Sequence, residues 1–483
     1  MEVVRRVVRL IDNKQYRSII FAIVLSIISA VALFKIVDLA FSKSVHPVTT
    51  LLMRLILGIT FVIPFILRKK EIFIYYFILS FPFMRLAFNG IDLLAIYSFL
   101  LVAIYRKEIV NLVKGKENIY RIPFFIITLC FIYTSLLAKY PRAAFEKVLF
   151  YLLLGGIYYV LTAFIKSERE IKAVFRFLLM PFAFCILVSF LQFRFGINSI
   201  KFFFDEYNAN TGVYGSFFTR RIPSVFVEAQ AAGQYFATMI MLALGLLSTY
   251  FWKSKLIKGL LAIGALAFLL TISRAAILSF IGVMFVVHLF ILSFRKVVIL
   301  MLIVISMMAV IGMFYEHIMP SQIRERFDPH NQREDYNFRY ALWKHSLPII
   351  KHYPFGVGLG GGNLFYAGDK VKVKFTESME AVPQLRGATH FENSYLDTLY
   401  SLGIIGFGGF ILLLVKYFKT GVKLIKENPH PDAKRFSFYL MGAMAVWLIP
   451  AATSPQIEQV QPMIIFVTLL ALMNSFNTIY RKP

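Results

Sequence analysis

Glu392 and Asn393 stand directly before a hydrophobic segment, at the end of the longest polar stretch in an otherwise apolar chain. A carboxylate at such a junction can accept a proton from a substrate hydroxyl group. His390, two residues upstream, can do the same, so the sequence leaves two candidates for a general base. The alternative is structural, because Glu near a helix N-terminus is favoured by the helix dipole and Asn is a good N-cap residue.

Arg274, in the segment LTISRAAILSF, is a candidate anion-binding residue. Two predicted crossings, 258–273 and 274–294, leave room only for a tight hairpin, and Arg274 lies near its tip. A charged group in a transmembrane region must be compensated, which makes it a candidate for function. Guanidinium groups stay charged and bind phosphate oxygens in a fork. The alternative is an arginine that extends to lipid headgroups.

Two long polar segments, about 196–228 and 316–395, interrupt the hydrophobic pattern, and each is too long for a simple turn. The first supplies Arg220, Arg221 and Glu228, and Gln230 follows at the start of the next predicted span; these polar side chains could contact sugars, phosphates or lipid headgroups. The second contains EDYNFRYALWKHSLPIIKHY, in which Phe338, Leu342, Leu347 and Ile350 have spacings compatible with one apolar helix face. Arg339 would project from this short helix.

The glycine-rich stretch PFGVGLGGGNLF follows that predicted helix. It lacks the G-K-[ST] ending with which a P-loop holds phosphates and magnesium, so a nucleotide site is excluded. We expect a flexible connector whose glycines permit positive φ angles. A close approach of its backbone to a sugar or phosphate is the alternative.

Hydrophobic residues make up 59% of the 483 residues, and charged residues only 16%. Their runs are continuous rather than alternating, which predicts membrane-spanning helices. The predicted fold is an all-α polytopic transmembrane bundle of about 12–14 spans, a single integral membrane domain over residues 1–483 with one large, partly helical loop. The predicted spans are 18–41, 48–67, 72–88, 91–105, 123–138, 148–165, 172–195, 229–252, 258–273, 274–294, 297–315, 396–415, 436–453 and 460–478.

Lys and Arg collect at alternate connections, as expected of cytoplasmic loops. Both termini are therefore predicted to be cytoplasmic, and the segments 196–228 and 316–395 extracytoplasmic. The formal charge of +26 is mostly this topology signal, so we expect no nucleic-acid partner. Cys130 and Cys185 fall inside predicted spans and have no spacing suited to a metal.

The order of four motifs resembles the O-antigen ligase and polymerase superfamily, over about residues 210–415. SRAA at a membrane edge precedes an R-x-x-x-W element, a P-x-G-x-G element and an N-x9-G-x-x-G element. These elements comprise Arg339 and Trp343, then Pro354, Gly356 and Gly358, and finally Asn393, Gly403 and Gly406.

This resemblance implies an inverting glycosyltransferase of the bacterial cytoplasmic membrane that uses no metal and no cofactor. It would transfer a glycan from an undecaprenyl-diphosphate carrier to the hydroxyl of a glycan or lipid acceptor on the outer face, among membrane lipids. Arg274 and Arg339 would hold the donor diphosphate. Glu392 stands where the family usually has a histidine, so Glu392 or His390 would be the base. The implied substrate-binding residues are Arg220, Arg221, Glu228, Gln230, Asn393 and Tyr395.

Two alternatives remain open at this stage. A ligase and a polymerase share the donor, and the replacement of His by Glu392 together with the mixed charge of the large loop favours a polymerase. A transporter of lipid-linked saccharides would also have many helices and charged residues near its spans. Transporters of that type usually have two related halves with a site near the midplane, whereas the polar candidates here gather outside the spans.

Overall fold

The computed structural model describes residues 64, 69–81, 87–88, 91–115, 118–138, 141–195, 222–226, 228–249, 255–291, 329–358, 391–454, 457 and 460–480. The helices in these ranges are α1 Lys70–Ser80, α2 Leu93–Ile104, α3 Arg106–Lys114, α4 Arg121–Leu136, α5 Pro141–Phe164, α6 Glu168–Phe195, α7 Ala229–Ser248, α8 Lys255–Leu270, α9 Arg274–Ile291, α10 Pro329–His352, α11 Ser394–Glu427, α12 Pro431–Ala451 and α13 Val460–Tyr480. Two short strands, β1 Ala87–Phe88 and β2 Ile91–Asp92, pair antiparallel. The predicted all-α bundle is confirmed.

Six helices among the described residues are long and apolar enough to cross a membrane. Their membrane-compatible stretches are Lys147–Phe164, Glu168–Arg194, Ala229–Ser248, Arg274–Ile291, Ser394–Glu427 and Gln461–Tyr480. This agrees with a polytopic membrane protein. The predicted spans 18–41 and 297–315, and nearly all of 48–67, lie outside the described residues.

The chain forms two compact units. One comprises Met1–Leu94 and Phe190–Arg220, and the other comprises Ala95–Ser189 and Arg221–Pro483. Helix α1 and the β1–β2 pair belong to the first unit. Every described candidate for the functional site belongs to the second.

Helix α7 lies at the centre of the second unit, and 16 of its 20 residues are buried. It packs closely against α12, because a Cβ atom at Gly245 would lie 2.8 Å from the Tyr439 Cβ atom. Small residues allow membrane helices to approach each other in this way. Gln234 of α7 also donates a hydrogen bond from its side-chain amide to the Trp447 carbonyl of α12. These two helices therefore form a fixed frame for the connections at their ends.

Helix α11 is broken at Gly403, where φ is 68° and ψ is −176°. Residues 354–358 lie against this break and satisfy its backbone groups. Val357 and Gly358 donate to the carbonyls of Tyr400 and Ser401, each over 3.0 Å. The Ile404 N–H donates in turn to the Pro354 carbonyl over 2.8 Å. Irregular backbone is tolerated in a membrane bundle where the protein itself supplies such partners.

The prediction of a flexible connector for the glycine-rich stretch is wrong at Gly356. Its φ of 86° confirms the need for glycine, but its backbone is packed rather than free. A Cβ atom there would lie 2.6 Å from the Gly403 nitrogen and the Ser401 oxygen. The close approach is therefore to the backbone of α11. The remaining glycines of the stretch, at 360–362, lie outside the described residues.

Candidate functional site

The turn that precedes Arg274 is only three residues long, so the predicted short connection between two apolar helices is confirmed. Thr271 stabilises this turn by donating its hydroxyl to the Phe268 carbonyl over 2.7 Å. Ile272 has a φ of 49°, a conformation that is strongly unfavourable for a β-branched side chain. Arg274 follows two residues later as the first residue of α9, half-buried.

The start of α7 packs directly against this turn. A Cβ atom at Gly233 would lie 2.6 Å from the Ser273 Cβ atom, so only glycine permits the contact. The Ile222 N–H donates to the Leu270 carbonyl over 3.3 Å and ties the preceding loop to the same place. The described substrate-binding candidates of this region, Glu228 and Gln230, therefore begin α7 close to the turn that carries Arg274.

Arg220 and Arg221 lie outside the described residues. Glu228 occupies the N-cap position of α7, but its side chain does not cap the helix. Gln230 lies in the first turn and is half-buried. Their predicted role in substrate binding stays a prediction.

Arg339 lies on α10 and is half-buried. Leu342, Ile349 and Ile350 bury one face of this helix, as expected of an amphipathic segment. Leu347 is 52% exposed, so its predicted place on the buried face is wrong. One turn after Arg339, Trp343 donates its indole N–H to the Phe391 carbonyl over 2.9 Å.

The residues around Glu392 have a defined backbone conformation. Asn393 caps α11, because its side-chain oxygen accepts from the N–H groups of Tyr395 and Leu396 over 3.0 Å and 3.2 Å. The structural interpretation of Asn393 is thus confirmed. Glu392 itself has a φ of 52° and is half-buried. His390, the other candidate base, lies outside the described residues.

The first turn of α11 is anchored to the end of α12. The Ser394 hydroxyl donates to the Ser454 carbonyl over 2.7 Å. It also accepts from the Ile457 N–H over 3.1 Å. The Tyr395 hydroxyl donates to the Leu448 carbonyl over 2.7 Å, so this group already has a structural partner. A substrate contact by Tyr395 stays a prediction.

Arg274 and Arg339 line the same cavity, although 65 positions separate them in the sequence. This cavity, called here the arginine cavity, has a volume of about 1010 Å³. Thr453 also lines this cavity. Apolar residues of α9, α11 and α12 form most of the remaining wall, for example Val286, Phe418 and Met441. A cavity with two cationic groups in a largely apolar wall can accommodate an anion attached to a hydrocarbon chain.

Glu392 does not line the arginine cavity, but its neighbours on both sides are fastened to residues next to it. On one side, Phe391 accepts the hydrogen bond from Trp343, which lies one turn from Arg339 on α10. On the other, Ser394 binds Ser454, the residue after Thr453. The structure therefore brings the two arginines into one cavity and fastens the Glu392 segment close to two of its lining residues, Arg339 and Thr453.

Three residues other than glycine have positive φ in the described part of the chain, namely Ser224, Ile272 and Glu392. Each lies in a connection that belongs to this region. Such conformations cost about 1–3 kcal/mol and concentrate at functional sites, where the surrounding structure enforces them. Sequence patterns could not indicate this strain, since Ser, Ile and Glu are ordinary residues in loops.

Two contributors to the site were not among the sequence candidates. Thr453 lines the arginine cavity, and Asp397 accepts a hydrogen bond from the Phe391 N–H over 3.0 Å. Thr453 gave no signal beyond its position at the end of a span. Asp397 could have been identified from the sequence, because it is an acidic residue within a hydrophobic segment, five residues after Glu392. Within the described ranges, no three His, Cys, Asp or Glu side chains cluster so that they could hold a metal ion.

Residues 259–411 match the family model described as O-antigen ligase. The matched segment runs from α8 into α11 and includes Arg274, Arg339, Glu392 and the broken helix. It supports the resemblance to the O-antigen ligase and polymerase superfamily. No curated protein matches the chain.

Proposed function

We propose that this protein, similar to the O-antigen ligase family over residues 259–411, is an inverting membrane glycosyltransferase that takes its glycan from undecaprenyl diphosphate. The observation that carries the proposal is the arginine cavity. Two guanidinium groups in the wall of one largely apolar cavity suit a lipid whose diphosphate joins a hydrocarbon chain to a sugar.

The position of Arg274 adds a second electrostatic contribution. As the first residue of α9, it stands where the unpaired N–H groups and the helix dipole favour an anion. The charge on the diphosphate increases as the sugar departs. Arg274 and Arg339 therefore stabilise the leaving group more strongly in the transition state than in the bound substrate, which is the requirement for catalysis.

The proposed reaction uses Glu392 as the general base. The acceptor hydroxyl oxygen attacks the anomeric carbon while its proton passes to the Glu392 carboxylate. The bond from the anomeric carbon to the diphosphate oxygen breaks, and its electron pair stays on undecaprenyl diphosphate between the two arginines. Attack opposite the leaving group inverts the anomeric configuration. In this scheme the arginines neutralise the charge, and no metal takes part.

The predicted membrane orientation is part of the proposal. Helix α11 begins beside Glu392 and ends in a basic segment with Lys416, Lys419, Lys423 and Lys426. Since such clusters favour the cytoplasmic side, the site would face outward from the bacterial cytoplasmic membrane. The acceptor is then a glycan or lipid outside the cell. The mixed charge of the loop 316–395 and the Glu392 replacement favour a second lipid-linked glycan, as in a polymerase.

The test is formation of product from defined lipid-linked repeat units by the purified protein in lipid vesicles. Each hydrogen-bonded charge contributes about 1.5–3 kcal/mol, so Arg274→Ala and Arg339→Ala should each reduce the rate about 10-fold to 100-fold or more. Lys344→Ala is the matched control, because Lys344 is an exposed cation on α10 with no place in the cavity. It should leave the rate unchanged.

Full product formation by either arginine variant would refute the proposed role of the cavity. Movement of intact lipid across the vesicle membrane without any new glycosidic bond would refute the transferase and indicate a transporter. A ladder of products identifies a polymerase, whereas a single new conjugate identifies a ligase.

A further inference from the structure

A second cavity lies between α4, α5, α11 and α13, and it shares no lining residue with the arginine cavity. Its volume is about 720 Å³. The wall is largely apolar, with Phe131 of α4, Leu413 of α11 and Phe466 of α13 among its members. Ile122 and Phe125 of α4 also line it and are 57% and 62% exposed, so the cavity opens sideways through the helix bundle. It is called here the α4–α5 cavity.

The α4–α5 cavity is elongated along α11. Its α11 wall includes residues on both sides of the break at Gly403, from Asp397 before it to Leu413 after it. Polar groups of Asp397, Thr398 and Ser401 lie at the end that approaches the site, and Arg121 lies on the wall contributed by the start of α4. A long apolar cavity that opens sideways suits the hydrocarbon chain of a lipid and gives a soluble metabolite few hydrogen-bond partners.

Helix α11 separates the two cavities. After the break at Gly403, Phe410 and Leu413 line the α4–α5 cavity, whereas Phe418 and Val422 line the arginine cavity. At 3.6 residues per turn, these two pairs point in directions roughly 130° apart. The cavities therefore lie on different faces of one helix, the helix that begins directly after Glu392 and Asn393.

Both cavities reach the Glu392 segment. Asp397, which lines the α4–α5 cavity, accepts a hydrogen bond from the Phe391 N–H. Ile457, which also lines that cavity, donates its N–H to Ser394. The arginine cavity reaches the same segment through Thr453 and the neighbouring Ser454. The head of a lipid in either cavity would thus emerge beside the proposed base.

We propose that the α4–α5 cavity holds the hydrocarbon chain of the acceptor, a second polyprenyl-linked glycan, while the arginine cavity holds the donor. This inference rests on the proposed glycosyltransferase function. The occupant follows from three features: a largely apolar wall that continues past the break in α11, a lateral opening, and an end beside Glu392. Two elongated cavities on either side of one helix suit a reaction between two lipids of the same kind.

Two glycines make the inference testable, because each lines one cavity and has empty space at its Cβ position. Gly155 lines the α4–α5 cavity and Gly282 the arginine cavity, and a Cβ atom at either would meet no other atom within 4 Å. Gly408 is the control, since it also has free space but lines neither cavity. Leucine at Gly155 or Gly282 would fill part of the cavity that the glycine lines, and leucine at Gly408 would fill neither cavity. A Cβ atom at each of the three positions meets no other atom within 4 Å.

The experiment measures initial rates in vesicles with donor and acceptor supplied as separate, distinguishable polyprenyl-linked glycans. Gly155→Leu should raise KM for the acceptor at least 10-fold and leave KM for the donor within 2-fold, and Gly282→Leu should do the reverse. Gly408→Leu should change neither value. With a water-soluble glycan acceptor, Gly155→Leu should behave like the wild type, because no hydrocarbon chain needs the cavity.

An unchanged KM for the polyprenyl-linked acceptor in Gly155→Leu would overturn the inference. The inference would also fail if Gly155→Leu raised KM for an acyl-chain glycolipid acceptor but not for the polyprenyl-linked acceptor. A rise in donor KM for Gly155→Leu would also overturn it, since the donor would then occupy this cavity. These outcomes all require an active wild-type protein. Absence of glycosidic bond formation by the wild type would instead count against the proposed function itself.

Discussion

The position of Glu392 depends on the backbone of the residue before it. The Phe391 N–H donates to Asp397 of α11, and the Phe391 carbonyl accepts from Trp343 of α10. Both polar groups of one peptide residue are thus held by side chains from two helices. This double attachment explains how Glu392 is kept in a conformation with positive φ.

In the proposed mechanism, Asp397 is a positioning residue that acts through Glu392. Asp397→Ala should lower kcat about 10-fold, because the lost hydrogen bond releases the conformation of the base. Asp397→Asn keeps an oxygen that accepts from the Phe391 N–H and should retain most of the activity. In a Glu392→Gln background, Asp397→Ala should cause little further loss, which initial-rate measurements of the double variant can establish. Independent, multiplicative losses would contradict this role.

At the scale of elements, the break in α11 fixes how α10 and α11 meet. The backbone of 354–358 follows α10 and pairs with 400–404, so the helix that carries Arg339 is clamped to the helix that follows Glu392. Gly356 of the P-x-G-x-G element and Gly403 of the G-x-x-G element meet at this contact, whereas Gly358 and Gly406 approach α4 residues, Thr134 and Cys130. Glycine is needed on both sides because the two backbones approach within the space of a Cβ atom.

Gly403→Ala should destabilise the protein by about 1–3 kcal/mol, since it places a side chain in a backbone conformation reserved for glycine. The added Cβ atom would also lie 2.3 Å from the Phe355 carbonyl carbon. Thermal unfolding in detergent should show a lower midpoint than the wild type. Gly408→Ala, in a regular and exposed part of the same helix, should leave the midpoint unchanged or raise it. Equal midpoints for the two variants would contradict the clamp.

The sequence predicted the elements that depend on local patterns. The short turn before Arg274 followed from the length of an apolar run, and the cap at Asn393 followed from its place before a hydrophobic helix. The clamp, which is the contact between residues 354–358 and 400–404, could not be predicted from the sequence. Its two halves are about 45 positions apart and meet only in the folded chain. Leu347 was assigned to the wrong helix face. The helical period of 3.6 residues is compatible with several neighbouring positions on one face, and only the tertiary packing decides which of them are buried.

At the scale of the whole molecule, hydrogen bonds link several of the loops that connect the helices of the second compact unit. Gln461 of α13 donates to the Val225 carbonyl over 3.5 Å, so the loop before α7 is linked to the start of the last helix. The turn before Arg274, the Glu392 segment and the end of α12 are linked through the contacts described above. Residues from distant parts of the chain thereby surround one cavity, an outcome that no single sequence segment encodes.

The central claim is that Arg274 and Arg339 hold the same diphosphate, and a double-mutant cycle of ligand binding tests it most directly. The dissociation constant of undecaprenyl diphosphate would be measured in lipid nanodiscs for the wild type, Arg274→Ala, Arg339→Ala and the double variant. If both guanidinium groups bind one diphosphate, each single variant binds more weakly and the two effects are coupled by at least about 0.5 kcal/mol. Unchanged affinity in either single variant, or effects that simply add, would contradict the account.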